Sequence, residues 1–149
     1  MHAVFDERRY LIPFRSALLP HIFTDVLVIG TGVAGHRAAL AAAEHGDVII
    51  ASKGELKDCN TYYAQGGVAA VMDEADNFES HIQDTLVAGA DLCDRHVVKQ
   101  VVEHAPQRIA ELIEWGMRFD AAGDKLALGR EGGHSAHRIL HSDGDATGK

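Results

Sequence analysis

The stretch Asp25-Val-Leu-Val-Ile-Gly-Thr-Gly-Val-Ala-Gly35 decides the fold of this protein. An apolar, β-branched run ends in glycine, and the spacing Gly-x-Gly-x-x-Gly follows where a helix is expected to begin. Gly30 permits a tight turn, Gly32 lets the backbone approach a pyrophosphate, and Gly35 allows the helix to pack closely on the strand. The free N–H groups and positive dipole end of such a helix favour phosphates. The stretch predicts a dinucleotide-binding turn, and the alternative is a glycine-rich turn without a ligand. The candidate contact residues are Gly30, Thr31, Gly32, Val33, Ala34 and Gly35.

The residues around this turn complete a strand-helix-strand unit. Residues 24–30 have the pattern of a strand buried on both faces in a parallel sheet. Residues 33–45 are rich in Ala and Leu and predict a helix, with Gly46 where a helix C-terminus prefers glycine. Residues 47–51 predict a second apolar strand. The unit indicates the α/β class with a partly parallel sheet.

Downstream, the pattern predicts a long loop, a short strand and two helices. The loop covers residues 52–67, and loops of that length in compact domains are usually functional. Residues 68–72 predict the strand and residues 79–89 the first helix. Residues 95–115 predict a longer, core-facing helix that Pro106 is expected to kink or split. Its apolar face consists of Val97, Val98, Val101, Val102, Ala105, Ile109, Leu112 and Ile113. The rest of the chain alternates short apolar pieces with glycine, as loops and strand edges do.

The composition is that of a folded globular protein. The 149 residues are 46% hydrophobic and 24% charged, with a mean hydropathy of −0.08, which excludes the disordered class. This length fits one domain or part of one, and it is too short for a nucleotide domain together with a full catalytic domain. The net charge is −8 and the basic residues are scattered, so no nucleic-acid partner is expected.

The sequence also bears on compartment and on the chain termini. No apolar run approaches the ~20 residues of a membrane span, and the first residues do not form a secretory signal. We therefore expect a cytoplasmic protein without membrane contact. Cys59 and Cys93 belong to no paired spacing and are expected to be reduced packing residues. Residues 1–23 predict a surface extension, because two prolines interrupt them, and residues 24–149 hold the nucleotide-binding region.

The end of the second predicted strand indicates which dinucleotide is bound. An acidic side chain usually binds the ribose hydroxyls about twenty residues after the glycines. The sequence here is Ala51-Ser52-Lys53, which argues against an ordinary NAD site. Ser52 and Lys53 are candidates to contact the adenosine ribose and the neighbouring phosphate. Glu55 is an acidic substitute, and a solvated surface lysine is the alternative.

The long loop contains a polar segment, Asn60-Thr-Tyr-Tyr-Ala-Gln-Gly-Gly67. Such a segment can place backbone N–H groups and small side chains against a flat polar ligand. The candidate contact residues are Asn60, Thr61, Tyr62, Tyr63, Ala64, Gln65, Gly66 and Gly67.

The order of several further segments matches a known family. These segments are Asp84-Thr-Leu, Cys93-Asp-Arg-His96, Arg130-Glu-Gly-Gly-His-Ser135 and Arg138-Ile-Leu-His141. Together with the glycine turn and the polar loop, they make residues 24–149 resemble the L-aspartate oxidase family. That family is similar in turn to the flavoprotein subunits of succinate dehydrogenase and fumarate reductase. The resemblance implies a Rossmann-like FAD-binding domain, incomplete in this chain, with FAD as the cofactor.

The resemblance also implies roles for individual residues. Residues 31–34 would lie over the FAD pyrophosphate, Lys53 near the adenosine ribose and residues 60–67 along the flavin. Asn60 stands where family members with covalent flavin have a linking histidine, so non-covalent FAD is implied. Glu131 matches the glutamate thought to receive the amino group of aspartate, which suits a carboxylate facing an ammonium. A surface glutamate in a glycine-rich turn is the alternative.

The implied reaction is FAD-dependent oxidation of L-aspartate to iminoaspartate in NAD biosynthesis. Oxygen or fumarate would accept the electrons, a channelling partner in that biosynthesis is implied, and the isolated chain is expected to be inactive. The alternatives are a fumarate reductase-like or succinate dehydrogenase-like flavoprotein with non-covalent FAD, and a non-catalytic nucleotide-binding module. No catalytic acid or base is assigned among these residues. A metal site at His134, His137 and His141 is disfavoured, because the flanking glycines break the helix that would align them.

Overall fold

The computed structural model describes residues 16–149. Residues 1–15, which hold most of the predicted surface extension, lie outside the described part of the chain. A short 3-10 helix, Ser16–Leu18, begins it. Contacts divide the chain into two compact units, the first ending at Glu55 and the second spanning Leu56–Lys149.

The first unit contains the predicted strand-helix-strand arrangement. Strand β1 (Val26–Ile29) leads through the glycine turn into helix α1 (Val33–Ala42), and strand β2 (Val48–Ala51) follows. The two strands are parallel, in a register that pairs Val26 with Val48 and Ile29 with Ala51. The α/β class and the parallel pairing predicted from the sequence are therefore confirmed.

Gly46 has a different role from the predicted helix cap. Helix α1 ends at Ala42 and is capped by Ala43, which donates its N–H to the carbonyl of Ala39. A Cβ atom at Gly46 would stand 2.5 Å from Oδ2 of Asp25. The same Asp25 oxygen accepts the N–H of Asp47 at 2.8 Å. Glycine is needed here because the Asp25 carboxylate crosses over the start of β2.

The burial of β1 also differs from the prediction. Leu27 is 57% exposed and Ile29 is 83% exposed, and Val28 is the one half-buried residue of the strand. The reason is the small number of neighbours: within residues 16–149, β1 pairs with β2 alone. The apolar pattern correctly indicated a parallel strand, but not one covered on both faces in this chain.

The second unit packs two helices and short antiparallel strands around a small core. Strand β3 (Val68–Ala69) is followed by helix α2 (Phe78–Ala88) and helix α3 (Arg95–Glu114). Strands β4 (Ala121–Ala122) and β5 (Lys125–Leu126) form a hairpin. Strand β7 (Ile139–Leu140) lies between β3 and β6 (Leu128–Gly129). The buried core cluster consists of Ala70, Ile109, Phe119 and Leu140.

Helix α3 runs without interruption through Pro106, so the predicted split is wrong. Its N-terminus is capped by Asp94, whose Oδ1 accepts the N–H of His96 at 2.8 Å. Proline removes one backbone hydrogen bond, but Val102 and Ile109 are buried on either side of it and hold the helix in place. The predicted apolar face is only partly covered, since Val97, Val101 and Ile113 are exposed. No helix within residues 16–149 combines the length and apolar character of a membrane span.

The core position of Leu140 gives a first testable prediction. Leu140 is fully buried, whereas Leu92 is 92% exposed. Truncating Leu140 to Ala leaves a cavity in close-packed surroundings, so Leu140→Ala should lower the free energy of unfolding by about 3 kcal/mol. Leu92→Ala is the matched control and should change it by less than about 0.5 kcal/mol. Urea denaturation followed by circular dichroism measures both, and equal effects would contradict the assigned core.

Candidate functional site

The glycine turn lies in the first unit, between β1 and α1. Gly30 has φ +111°, and its N–H donates to the carbonyl of Ala51 on β2 at 2.9 Å. A Cβ atom at Gly35 would overlap the Gly30 carbonyl, so the helix approaches the strand as the sequence predicts. Gly32 precedes the helix and supplies no capping side chain. A Cβ atom built on Gly30 would meet nothing within 4 Å, which leaves open space beside the turn. An extended phosphate ligand fits this geometry.

Ser52 and Lys53 follow β2 in the same unit and are exposed. The hydroxyl of Ser52 donates to the carbonyl of Gly54 and thereby stabilises the turn after the strand. Lys53 makes no ion pair with any residue of the described range 16–149. The ribose contact of Ser52 and Lys53 therefore stays a prediction, as does the alternative of a solvated lysine.

The polar loop at residues 60–67 lies in the second unit and contains no helix or strand. Two contacts tie it to the last residues of the chain. Thr147 Oγ1 donates to the carbonyl of Gly66 at 3.0 Å, and a Cβ atom at Gly148 would overlap the carbonyl of Thr61. A Cβ atom at Gly67 would overlap the side chain of Ile139 in β7. The last residues of the chain therefore contact the loop on one side, and β7 contacts its end on the other.

Glu131 contacts a histidine in the same unit. Its Oε1 lies 3.2 Å from Nε2 of His141, the residue that directly follows β7. The other ring nitrogen of His141, Nδ1, lies 3.0 Å from the carbonyl of Gly144. The Glu131 side chain is 52% exposed and the His141 side chain 25% exposed. Glu131 is therefore anchored at one oxygen while its carboxylate stays accessible to a ligand.

A buried cluster around Arg138 fixes the segment that leads from Glu131 to His141. The fully buried Arg138 guanidinium donates to both carboxylate oxygens of Asp76 and to Oδ2 of Asp84, each at 2.7 Å. It also donates to the hydroxyl of Ser80 at 3.1 Å. Oδ2 of Asp84 accepts the N–H and the hydroxyl of Ser135, both at 2.7 Å. We name these five residues the Arg138 cluster.

The Arg138 cluster shifts the pKa values of its members. The backbone hydrogen bond from Ser135 is the largest cause that lowers the pKa of Asp84 to about 2, with further lowering from the Ser135 hydroxyl and Arg138. Burial raises the pKa of Asp76, but hydrogen bonds from Arg138 and the Asn77 N–H outweigh it, and the net shift is downward. Both carboxyl groups are therefore ionised opposite the guanidinium.

Two histidines lie next to this cluster. His81 of α2 is buried, and its ring centroid is 5.7 Å from that of His134. Burial, followed by the positive charge of Arg138, lowers the pKa of His81, which favours its neutral form. Of the three histidines of the metal alternative, His134 faces His81 while His141 faces Glu131. In the described part of the chain, no three His, Cys, Asp or Glu side chains are grouped to hold a metal ion.

Sequence reasoning missed the Arg138 cluster and the contact between Glu131 and His141. Asp84, Ser135 and Arg138 all lie in segments that carry the family resemblance, and this shared membership could have marked them as functional partners. No sequence signal marks Asp76 as a partner of Arg138, because the two residues lie 62 positions apart along the chain.

Comparison with known proteins identifies the family. Residues 25–149 match the FAD binding domain family. This chain belongs to that family. The chain is 52% identical to the L-aspartate oxidase of Vibrio cholerae over 130 residues, and the match covers 83% of this chain and 24% of that protein. It is 51% identical to the chloroplastic L-aspartate oxidase of Arabidopsis thaliana, covering 85% of this chain and 20% of that protein.

Solved structures give the same fold for this FAD binding domain. Mycobacterium smegmatis Sdh1 in complex with UQ1 matches with a TM-score of 0.76 at 35% identity, over 84% of this chain and 22% of that one. A variant of E. coli quinol fumarate reductase matches with a TM-score of 0.77 at 32% identity and the same coverage. The chain spans about a quarter of the length of the relatives that it matches. The fold class, the family resemblance and FAD as the cofactor are confirmed, and the contacts of individual residues stay predictions.

The pKa of Asp84 gives a second testable prediction. Because its pKa is lowered in the folded state, its contribution to stability is complete above about pH 4 and is lost as the pH falls toward 2. Asp84→Asn should lower the free energy of unfolding by about 2 kcal/mol at pH 7. The difference from wild type should shrink steadily on acidification below pH about 4.

Urea denaturation at pH values from neutral to acidic measures this difference. Asp124→Asn, an exposed aspartate in the turn between β4 and β5, is the matched control and should leave stability unchanged throughout. A stability deficit of Asp84→Asn that does not vary with pH would contradict the assigned role of the carboxylate charge.

Proposed function

We propose that this chain is the FAD-binding part of a flavoenzyme that oxidises L-aspartate to iminoaspartate, with oxygen or fumarate as the electron acceptor. The observation that carries the proposal is the anchored but accessible carboxylate of Glu131, in the same unit as the polar loop at residues 60–67. A carboxylate held in this way suits the ammonium group of an amino acid substrate. The formation of iminoaspartate in NAD biosynthesis is part of the proposal.

The residues present fit FAD. The turn at residues 30–35 and the N-terminus of α1 would bind the pyrophosphate, since the space beside Gly30 is open and no side chain caps the helix. Ser52 and Lys53 would contact the adenosine ribose, and residues 60–67 would lie along the flavin. When bound, FAD would supply the acceptor for the two electrons of the oxidation.

Asn60 supports a non-covalent complex, because an amide side chain cannot form the histidyl link of related covalent flavoproteins. The exposed Asn60 lies in the polar loop, which is packed against the last residues of the chain. The identity of 52% to an L-aspartate oxidase, against 32–35% to the Sdh1 and fumarate reductase structures, favours the amino acid substrate over a plain dicarboxylate.

The glycine turn gives the third prediction. In Gly32→Val a branched side chain would stand where the backbone must approach the pyrophosphate, so the variant should lose at least about nine-tenths of its bound FAD. Ala38→Val adds bulk to an exposed position of the same helix and is the matched control, expected to keep FAD. Flavin is counted in the supernatant after acid precipitation of protein at its natural full length. A wild-type FAD content in folded Gly32→Val would contradict the assigned pyrophosphate site. Flavin that stays in the precipitate of the wild-type protein would contradict non-covalent binding.

The fourth prediction separates aspartate oxidation from dicarboxylate chemistry. Glu131→Gln keeps the shape of the side chain and removes the charge that would pair with the substrate ammonium. It should lower kcat/KM for aspartate by about thirtyfold, or about 2 kcal/mol of transition-state binding. Fumarate has no ammonium, so its reduction should fall by less than about threefold.

Steady-state kinetics with both substrates at equal FAD occupancy provide the measurement. Glu44→Gln, at an exposed position after α1, is the control and should change neither rate. An equal loss for both substrates would make Glu131 a structural residue. Fumarate reduction by a wild type that does not oxidise aspartate would favour the fumarate reductase-like alternative.

A further inference from the structure

His141 sits in a space that two glycines create. A Cβ atom at Gly129 in β6 would lie 3.3 Å from Nε2 of His141, and one at Gly67 would lie 3.1 Å from its Cε1. A side chain at either position would make the ring shift by a few tenths of an ångström. The ring therefore packs closely against the backbone of β6 and of the end of the polar loop.

Both ring nitrogens of His141 face hydrogen-bond acceptors. Nδ1 lies 3.0 Å from the carbonyl oxygen of Gly144, and Nε2 lies 3.2 Å from Oε1 of Glu131. A carbonyl and a carboxylate can only accept, so the ring is the donor wherever it bonds to either of them. The contact with Gly144 restricts the ring plane, and the contact with Glu131 restricts the carboxylate.

Glu131 needs such a partner because its own surroundings do not hold it. It is followed by Gly132 and Gly133, and its side chain is 52% exposed. A glutamate in that setting loses side-chain entropy on meeting a ligand, unless a neighbour has already restricted it. Within residues 16–149, His141 is the side chain that contacts the carboxylate, and it does so at Oε1.

We propose that His141 is a positioning residue that holds Oε1 of Glu131 and so presents Oε2 to the ammonium group of the substrate. The inference rests on the proposed function, since it assumes that Glu131 receives an ammonium. It adds a residue that does not touch the substrate but determines how well Glu131 binds it. Its effect should therefore be limited to substrates that carry the amino group.

Two variants separate the two contacts of the ring. In His141→Gln the amide nitrogen reaches the position of Nε2 and can donate to Glu131. In His141→Asn the amide nitrogen takes the position of Nδ1, so the contact with Gly144 is kept and the contact with Glu131 is lost. His104→Asn on α3 is the control, because the Nδ1 of that exposed histidine also contacts a backbone carbonyl, at 2.7 Å from Gln100.

The test uses the full-length protein loaded with FAD, with kcat and KM measured for aspartate and for fumarate, and with thermal unfolding and FAD content as further readouts. We expect His141→Asn to lower kcat/KM for aspartate about tenfold, with fumarate reduction, FAD content and melting temperature close to wild type. His141→Gln should stay within about threefold of wild type for aspartate. Glu131→Gln combined with His141→Asn should be no slower than Glu131→Gln alone, because both changes remove one interaction.

Three outcomes would overturn the inference, and they differ in what they say of the proposed function. If Glu131→Gln slows aspartate oxidation but His141→Asn does not, the positioning role alone fails. If His141→Gln is the slower variant, or if aspartate and fumarate suffer equally, His141 acts through Gly144 as a structural residue. If Glu131→Gln itself leaves aspartate oxidation unchanged, ammonium recognition by Glu131 fails, and the positioning role fails with it.

Discussion

The second unit depends on the buried charge of Arg138. A guanidinium without access to water is tolerated only when its donors are satisfied, and removing one partner of a buried pair costs several kcal/mol. Here Asp76 accepts from Nε and Nη2 in a two-bond arrangement, Asp84 accepts from Nη1, and Ser80 accepts from Nη2. Asp76 precedes α2, and Ser80 and Asp84 lie on it. The hydrogen bonds to Arg138 therefore fix the position of helix α2.

The planar guanidinium also explains why this cluster can position a site that it does not touch. Two parallel hydrogen bonds to Asp76 fix the orientation of Arg138 as well as its distance, which apolar packing at the same place would not do. Ser135 is tied to Asp84 by two hydrogen bonds, and Arg138 immediately precedes β7. The residues between Glu131 and His141 are thus fixed at several points against α2.

The sequence predicted those features that depend on neighbours along the chain. The parallel pairing of β1 and β2, the turn at Gly30 and the start of α3 at Arg95 all follow from local pattern. The features it missed depend on residues that meet across the fold. Asp76 lies 62 residues from Arg138, and nothing in its local sequence marks it as a partner. The exposure of Ile29 and the continuity of α3 through Pro106 likewise depend on what packs against them.

In the polar loop, two neighbouring glycines also differ in a way that the sequence does not reveal. In the sequence Gly66 and Gly67 look equivalent, but they satisfy different constraints. Gly66 has φ +81°, and a Cβ atom there would meet nothing within 4 Å, so its requirement for glycine is conformational. Gly67 has no room for a side chain, because Ile139 and His141 pack against its backbone. Gly66 therefore turns the loop at an open position where a ligand can approach, whereas Gly67 joins the loop to the strand that leads to His141. Because the second contact sets the position of the His141 ring, the Gly-Gly pair links the loop predicted to contact the flavin to the carboxylate proposed to bind the substrate.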